Sequence, residues 1–449
     1  MANYNGYIGR TKRLFPSFLK YAGVILITIL FCHHYYSNRQ VTVTYSASRN
    51  ASNTFPRHWK SLLQYPSTLK LVFIDEPSLN CLIGTVPIEA EQGCQQLYSA
   101  HTTRVGTYLS IEEFQKLFYE KIVKGQDGGK KTDKWSTNAT IPEQNPDTTI
   151  IQYWYHENFE KSIIVSTLKK NDNLNYYKLR GARQLQSHAI RHFDDSKISL
   201  ASLLDDGQCE NDCNAFVPMQ IKRHMAYLKA GSLMECNRET ALKIPKDATW
   251  RLPNVTVPIT THLLDQYIEA GQIPFMCHGT ILGWYRDCNI IPHTHDFDFC
   301  IHAHQFIPDF HKQFAKDPLH PVWRSIGRRE YGFELTFYLN HGIKDHEQAK
   351  LDIFYVYEHN STHLWTPLLM NFQKGTRVQD FLPIVDKLCT ADLRGQLFLA
   401  PCNVREYLNV RYGSTWEVLN KNAGYFEKGV EYVYDGNWET DISEVLEYF

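Results

Sequence analysis

Apolar and polar positions divide the chain of 449 residues into readable stretches. From Tyr21 to Cys32 the run YAGVILITILFC carries no charge, and extended to Tyr36 it makes a helix about 24 Å long at ~1.5 Å per residue. Phe15, Phe18 and Leu19 lengthen it when Lys20 turns its ammonium toward the interface, which suits a thin early-secretory bilayer. Polar residues without periodicity follow and predict a stem to residue 65. LKLVFIDEP, Leu69 to Pro77, is an apolar run closed by turn residues and predicts the first strand of a folded body. TIIQYWYHE and SIIVSTLKK predict further strands, after a Gly/Lys/Asp/Pro-rich stretch around Gly125 to Thr149 that predicts an exposed loop.

A second body is predicted from residue 246. Ile259, Leu263, Leu264, Tyr267 and Ile268 recur at helical spacing, and Gly271 follows as a stop. IPFMCHGT then predicts a strand ending in Gly279-Thr280, ILGWYR one to two helical turns, NIIPHTH a connector broken by Pro292, and DFDFCI another strand. FELTFYLN and KLDIFYVYEH predict two more. The expected fold is mixed α and β: a cytosolic tail (1–20), a transmembrane anchor (21–36), a stem (37–65), an N-terminal α/β domain (66–245) and a C-terminal domain with a mixed sheet (246–449).

Composition narrows what such a chain does. With 43% hydrophobic and 21% charged residues it reads as globular, and 47 basic against 48 acidic side chains give no sign of the basic surface that nucleic-acid binding usually requires. Arg10, Lys12, Arg13 and Lys20 precede the apolar run without an acid among them, so the positive-inside rule predicts a single-pass type II orientation. The residues after the run, HHYYSNRQ, lack a small-x-small cleavage site, which favours an anchor over a removed signal peptide. Four N-x-S/T sequons predict glycosylation at Asn50, Asn138, Asn254 and Asn360. Ten of the eleven cysteines also lie beyond the anchor, where disulfides are the expected use. Cys209 and Cys213 have no matching His/Cys pair at finger spacing, so disulfide use is expected of them rather than zinc.

The stretch richest in chemistry is CHGTILGWYRDCNIIPHTHDFDFCI, residues 277 to 301. Strand alternation puts Asp296, Asp298 and Cys300 on one face, with Phe297, Phe299 and Ile301 on the other. Carboxylates in an apolar strand need something to offset their desolvation. Asp352, set among Leu351, Ile353 and Phe354, is a third acid that an adjacent strand would bring beside the pair. One or two carboxylates with substrate phosphate oxygens is how a hard cation such as Mg²⁺ is commonly held, and such a trio would offer them. Gly279-Thr280, opening a helix, lets phosphate approach backbone N–H groups. Taken alone, a D-x-D is common and a Gly-Thr before a helix is often only a cap.

The order Gly-Thr, Asp-x-Asp on a strand, then Asp on a later strand resembles the nucleotidyltransferase superfamily. HGTILGWYRDCNIIPHTHDFDFCI more narrowly resembles the fukutin/LicD family, supported by KLDIFYVYE, LAPCNVREYLNVRYGSTW and GNWETDISEVLEYF, and the resemblance covers residues 260–449. It implies a nucleotidyltransferase-fold catalytic domain, lumenal in the Golgi or endoplasmic reticulum. The implied reaction moves a phospho-alditol such as ribitol phosphate, or a phosphocholine-like group, from a CDP-linked donor to a glycan hydroxyl on a glycoprotein. In that scheme Asp296, Asp298 and Asp352 hold Mg²⁺ or Mn²⁺, and Asp352 completes the metal site or takes the acceptor proton. Gly279, Thr280 and Arg286 contact donor phosphate; His293 and His295, in the loop beside the acids, are weaker candidates. Cys300 departs from the pattern, since fukutin carries glycine after its DxDL run. Competing expectations are a non-catalytic scaffold for another glycosyltransferase, a sugar-phosphate nucleotidyltransferase that would release diphosphate, and an adhesion ectodomain. Partner glycosyltransferases and a homodimer are both compatible with the sequence.

Overall fold

A computed structural model describes residues 65–83, 102–123, 135–140, 150–155, 161–168, 170–180, 187–199, 214–245, 249–340, 349–371, 376–418, 432–437 and 446–449. The expected tail, anchor and nearly all of the stem, with the sequon at Asn50, lie outside them. Among the described residues no helix is long and apolar enough to cross a membrane. Residues 47–449 form one compact unit.

The first half builds a mixed sheet whose described strands run in the order β3–β4–β5–β2–β1–β9–β8. These are β1 (Leu71–Phe73), β2 (Thr102–Thr107), β3 (Trp135–Thr140), β4 (Ile150–Tyr155), β5 (Lys161–Thr167), β8 (Asp195–Ser199) and β9 (Asn214–Pro218), while β6 (Tyr176–Arg180) and β7 (Ser187–Arg191) pair as a separate hairpin. β1 is buried at every residue, as a continuous apolar run in a doubly covered strand must be. Asp75 ends it and accepts from Ser78 N at 3.1 Å, starting helix α1 (Glu76–Ile83). Helix α2 (Ile111–Phe118) begins at a capping box of Ser110 and Glu113. One expectation fails here: the stretch 125–149 contains strand β3, antiparallel to β4, with Asn138 facing Gln152 in the register. Its polar composition hides a strand whose pairing is set by its neighbour rather than by its own alternation.

The second half follows its pattern closely. Helix α3 (Ile221–Ala230) and strand β10 (Leu233–Met234) lead into the short helix α4 (Arg238–Ala241). Helix α5 (Thr256–Glu269) buries Ile259, Leu263, Leu264, Tyr267 and Ile268, and Gly271 leaves it at φ +91°, a conformation glycine adopts without a Cβ clash. Strands β11 (Phe275–Met276), β12 (Asp296–His302), β13 (Val322–Arg328), β14 (Gly332–Leu339), β15 (Ala349–Glu358), β16 (His363–Asn371), β17 (Thr376–Pro383), β20 (Tyr432–Asn437) and β21 (Leu446–Tyr448) form the larger sheet. Its order is β20–β17–β16–β15–β14–β13–β21, with β12 parallel to β15 and β11 antiparallel to β12. β18 (Leu388–Leu393) pairs with β10 on one side and with β19 (Gln396–Pro401) on the other, and helix α7 (Val404–Tyr412) follows.

Polar contacts cross residue 246, the expected domain boundary. Asp265 on α5 receives Arg191 Nη2 at 2.9 Å and Arg223 Nη1 at 2.8 Å, all largely buried. Tyr176 donates to Asp392 at 2.7 Å, and Tyr227 to the Leu397 carbonyl at 3.0 Å. The two halves therefore share a core.

Candidate active site

β12 and β15 lie side by side in register, Asp296 opposite Lys350 and Asp298 opposite Asp352. In a parallel pair residues in register face the same way, so the expected trio comes together on one face. Their carboxylate oxygens lie within 4.8 Å of one another. Phe297, Phe299 and Ile301 are fully buried on the other face. Sequence alternation alone had predicted that division.

The trio is electrostatically strained. Burial, then the charges of Asp296 and Asp352, push the Asp298 carboxyl well above its ordinary value. Gly279 N donates to Asp298 Oδ2 at 2.8 Å and counters this in part. Burial, then Asp296, push Asp352 up to about 6, against the pull of the Thr336 hydroxyl, Arg324 and Lys350. Asp352 Oδ1 is buried and has no hydrogen-bond partner. An orphaned carboxylate oxygen beside two more acids fits a divalent cation, which would satisfy the oxygen and relieve the repulsion together.

Beside the acids stands the short helix α6 (His278–Leu282), continued by a wider turn through Asp287. Thr280 Oγ1 accepts from Asp298 N at 2.7 Å, and a Cβ on Gly279 would sit 2.9 Å from Asp298 Oδ2. Glycine is needed here because a carboxylate closes on the backbone. Cys277 and Cys300 form a disulfide, so the Cys300 that departs from the family pattern ties this turn to the strand carrying Asp298. Arg286 is also near but forks onto Asp287, Nε to Oδ1 at 2.6 Å and Nη2 to Oδ2 at 2.9 Å. His293 is exposed, and His295 contacts Arg251 Nη1.

A buried clamp behind the turn went unnoticed in the sequence. His278 has φ +40°, unusual for a residue with a Cβ. Its N–H donates to Tyr407 Oη at 3.3 Å, and its Nδ1 accepts from Arg411 Nε at 3.3 Å. That leaves the ring proton on Nε2, 3.3 Å from Thr366 Oγ1. Arg411 pairs with Asp380 at 2.5 Å, and burial, then Arg411, keep His278 well below the ordinary imidazole value. In FELTF, Glu334 has the look of a strand-edge or ion-pair residue rather than a ligand. It does pair with Arg324, at 3.8 Å, yet burial and then Asp352 push its carboxyl up to about 8, making it a fourth acid of this face.

Of the sequons within the described residues, Asn360 is exposed in the β15–β16 turn, where its Oδ1 accepts from Thr362 N at 2.8 Å. Asn254 is exposed and accepts from Arg394 Nη1 at 2.7 Å.

Comparison with known proteins gives the geometry a context. Residues 272–403 match the family described as LicD/FKTN/FKRP, nucleotidyltransferase domain, a span that holds Gly279, Thr280 and all three acids. An uncharacterized protein of Caenorhabditis elegans is 30% identical over 242 residues, covering 52% of this chain and 60% of the relative. A second from the same organism is 24% identical over 346 residues, covering 71% and 89%. The ribitol-5-phosphate transferase FKTN of Homo sapiens is 28% identical over 179 residues, 39% of this chain and 37% of that protein. The chain thus spans well under two thirds of the human protein and somewhat under two thirds of the first relative.

Proposed function

We propose, from the premise that residues 272–403 are a nucleotidyltransferase domain of the LicD/fukutin family, that this chain transfers a phospho-group from a CDP-linked donor to a glycan hydroxyl. The group is ribitol phosphate or a chemically similar phospho-alditol or phosphocholine-like group. The observation that carries this reading is the orphaned Asp352 oxygen within a trio of acids next to a glycine-threonine turn. A scaffold would have no use for three carboxylates held against one another at a cost to stability.

Asp296, Asp298 and Asp352 would hold Mg²⁺ or Mn²⁺, which when bound supplies charge neutralisation for the donor diphosphate. The turn at Gly279 and Thr280 sits where donor phosphate meets the acids, and its hydrogen bonds to Asp298 hold that carboxylate in place. Arg286 would reach donor phosphate only by exchanging its fork on Asp287 for the phosphate oxygens. In the transfer the acceptor oxygen forms the new bond to phosphorus and the bond to the departing CMP phosphate oxygen breaks. CMP leaves with that electron pair, and the hydroxyl proton passes to the carboxylate of Asp352. The type II anchor and a Golgi or endoplasmic reticulum lumen are the proposed setting, with glycoprotein acceptors and partner glycosyltransferases.

Isothermal titration of the purified chain with CDP-ribitol, CDP-glycerol and CDP-choline, with and without Mn²⁺, tests the reading. Metal-dependent binding of one donor, abolished in Asp296→Asn and Asp298→Asn, is expected. No binding of any donor by folded chain would turn the assignment toward a scaffold.

A further inference from the structure

A second feature shares the acid face, on the side away from the Gly279-Thr280 turn. Crossing the sheet from β12, the order is β15, β14, β13 and β21. Asp296 is in register with Lys350, Lys350 with Tyr338, and Asp352 with Thr336. Tyr338 therefore faces the same side as the acids, on a diagonal of roughly 7–8 Å from Asp352.

The pairing of β13 with β14 slips between Val322 and Arg324, so Trp323 is the extra residue of a β-bulge. A bulge lets two consecutive side chains face one way, and bulges often re-aim a side chain next to an active site. That happens here. Arg324 Nε reaches Thr336 Oγ1 at 3.2 Å, while the Trp323 indole stacks on Tyr338 with centroids 5.0 Å apart and planes 27° apart. Val322, opposite the buried Phe337, faces the core, so alternation turns Trp323 to the acids and the bulge brings Arg324 to that side as well. The Arg324 guanidinium and the Lys350 ammonium lie 4.6 and 4.9 Å from the indole centroid and hold it in place. Tyr448 on β21, in register with Arg324, adds a third ring 5.9 Å from Trp323 and is 59% exposed.

We infer that the shelf of Tyr338 and Tyr448 built around Trp323 is the subsite for a pyranose ring of the acceptor glycan, an assignment that rests on the transferase reading for its role. A pyranose offers a flat face of C–H groups that packs on an aromatic ring, and a rim of hydroxyls for the charged groups beside it. Here the rim would meet Lys350 and Arg324, and the ring would lie beside the acids with one hydroxyl directed at the donor. The donor phosphate occupies the far side, at the turn, so the shelf is left for the acceptor. Aromatic rings that carry polar handles suit this half-wet position.

The test is saturation-transfer NMR on the full chain with methyl glycosides of mannose, glucose and N-acetylgalactosamine. Saturation of ring C–H protons is expected with at least one glycoside. It should fall about threefold to tenfold in Tyr338→Ala and Tyr448→Ala and persist in Tyr338→Phe. No saturation with any glycoside, or an undiminished signal in Tyr338→Ala, would overturn the assignment. Saturation of the CMP base that disappears in Tyr338→Ala would also overturn it, by giving the shelf to the donor. A parallel CDP-ribitol titration separates the two claims. Donor binding without a glycoside signal sinks the shelf alone, whereas a glycoside signal without binding of any donor sinks the transferase reading and leaves a sugar-binding shelf.

Discussion

Replacing Asp352 by asparagine should stabilise the metal-free protein at neutral pH while removing its response to metal. The folded carboxyl is pushed up to about 6 from an ordinary 3.8, by burial first and by Asp296 second. A group raised on folding holds its proton more tightly in the native state. Its penalty is absent below the unfolded value, grows as pH rises from about 4 to about 6, and is fully present above that. The gap corresponds to about 3 kcal/mol. An amide carries no charge to desolvate but accepts a weaker hydrogen bond from Thr336, a loss of about 1 kcal/mol. The net expectation is a gain of about 2 kcal/mol at pH 7.5 in EDTA and little or none at pH 4. Urea unfolding at both pH values reads this directly. Adding Mn²⁺ at a hundred times its dissociation constant should then stabilise the wild type by about 2.7 kcal/mol and the variant hardly at all. An Asp352→Asn protein less stable than wild type at pH 7.5 in EDTA would refute the electrostatic reasoning.

Other consequences are simpler. Gly279→Ala brings a Cβ to 2.9 Å from Asp298 Oδ2 and should weaken metal and donor binding about tenfold in a titration, with a much smaller change in unfolding midpoint. Asp265→Ala leaves Arg191 and Arg223 without their shared partner and should cost about 3–5 kcal/mol in urea unfolding, because both guanidinium groups are largely buried. The double change Cys277→Ser with Cys300→Ser opens a loop with a sequence separation of 23 and should cost about 3 kcal/mol, with loss of metal affinity as the turn drifts from Asp298. Equal stability with and without that disulfide would argue that β11 and β12 need no fastening.

Much of the site was legible because its information is local. Asp296 and Asp298 alternate with Phe297 and Phe299, and that period alone assigns their faces. Asp352 was reachable because it interrupts an apolar strand. What the sequence concealed depends on pairing. Glu334 lies near the acids only because β14 aligns Thr336 with Asp352, and nothing in FELTF announces that register. The His278 clamp draws on Thr366, Asp380, Tyr407 and Arg411, about 90 to 130 residues downstream, each ordinary in its own surroundings. Cys300 looked like a bulky departure, and its partner could not be known until β11 was seen to run antiparallel to β12. Trp323 reads as an ordinary strand aromatic until the pairing shows a one-residue bulge that sets Arg324 beside it on the acid face.

Three carboxylates serving a phospho-transfer are tested most directly by counting products. The purified chain would be incubated with CDP-ribitol, Mn²⁺ and a glycan acceptor, with CMP and phospho-ribitylated glycan quantified together by mass spectrometry. The prediction is equal amounts of the two products, abolished by EDTA and by Asp298→Asn. Products formed equally well by the Asp298→Asn protein, or release of diphosphate in place of CMP, would contradict it.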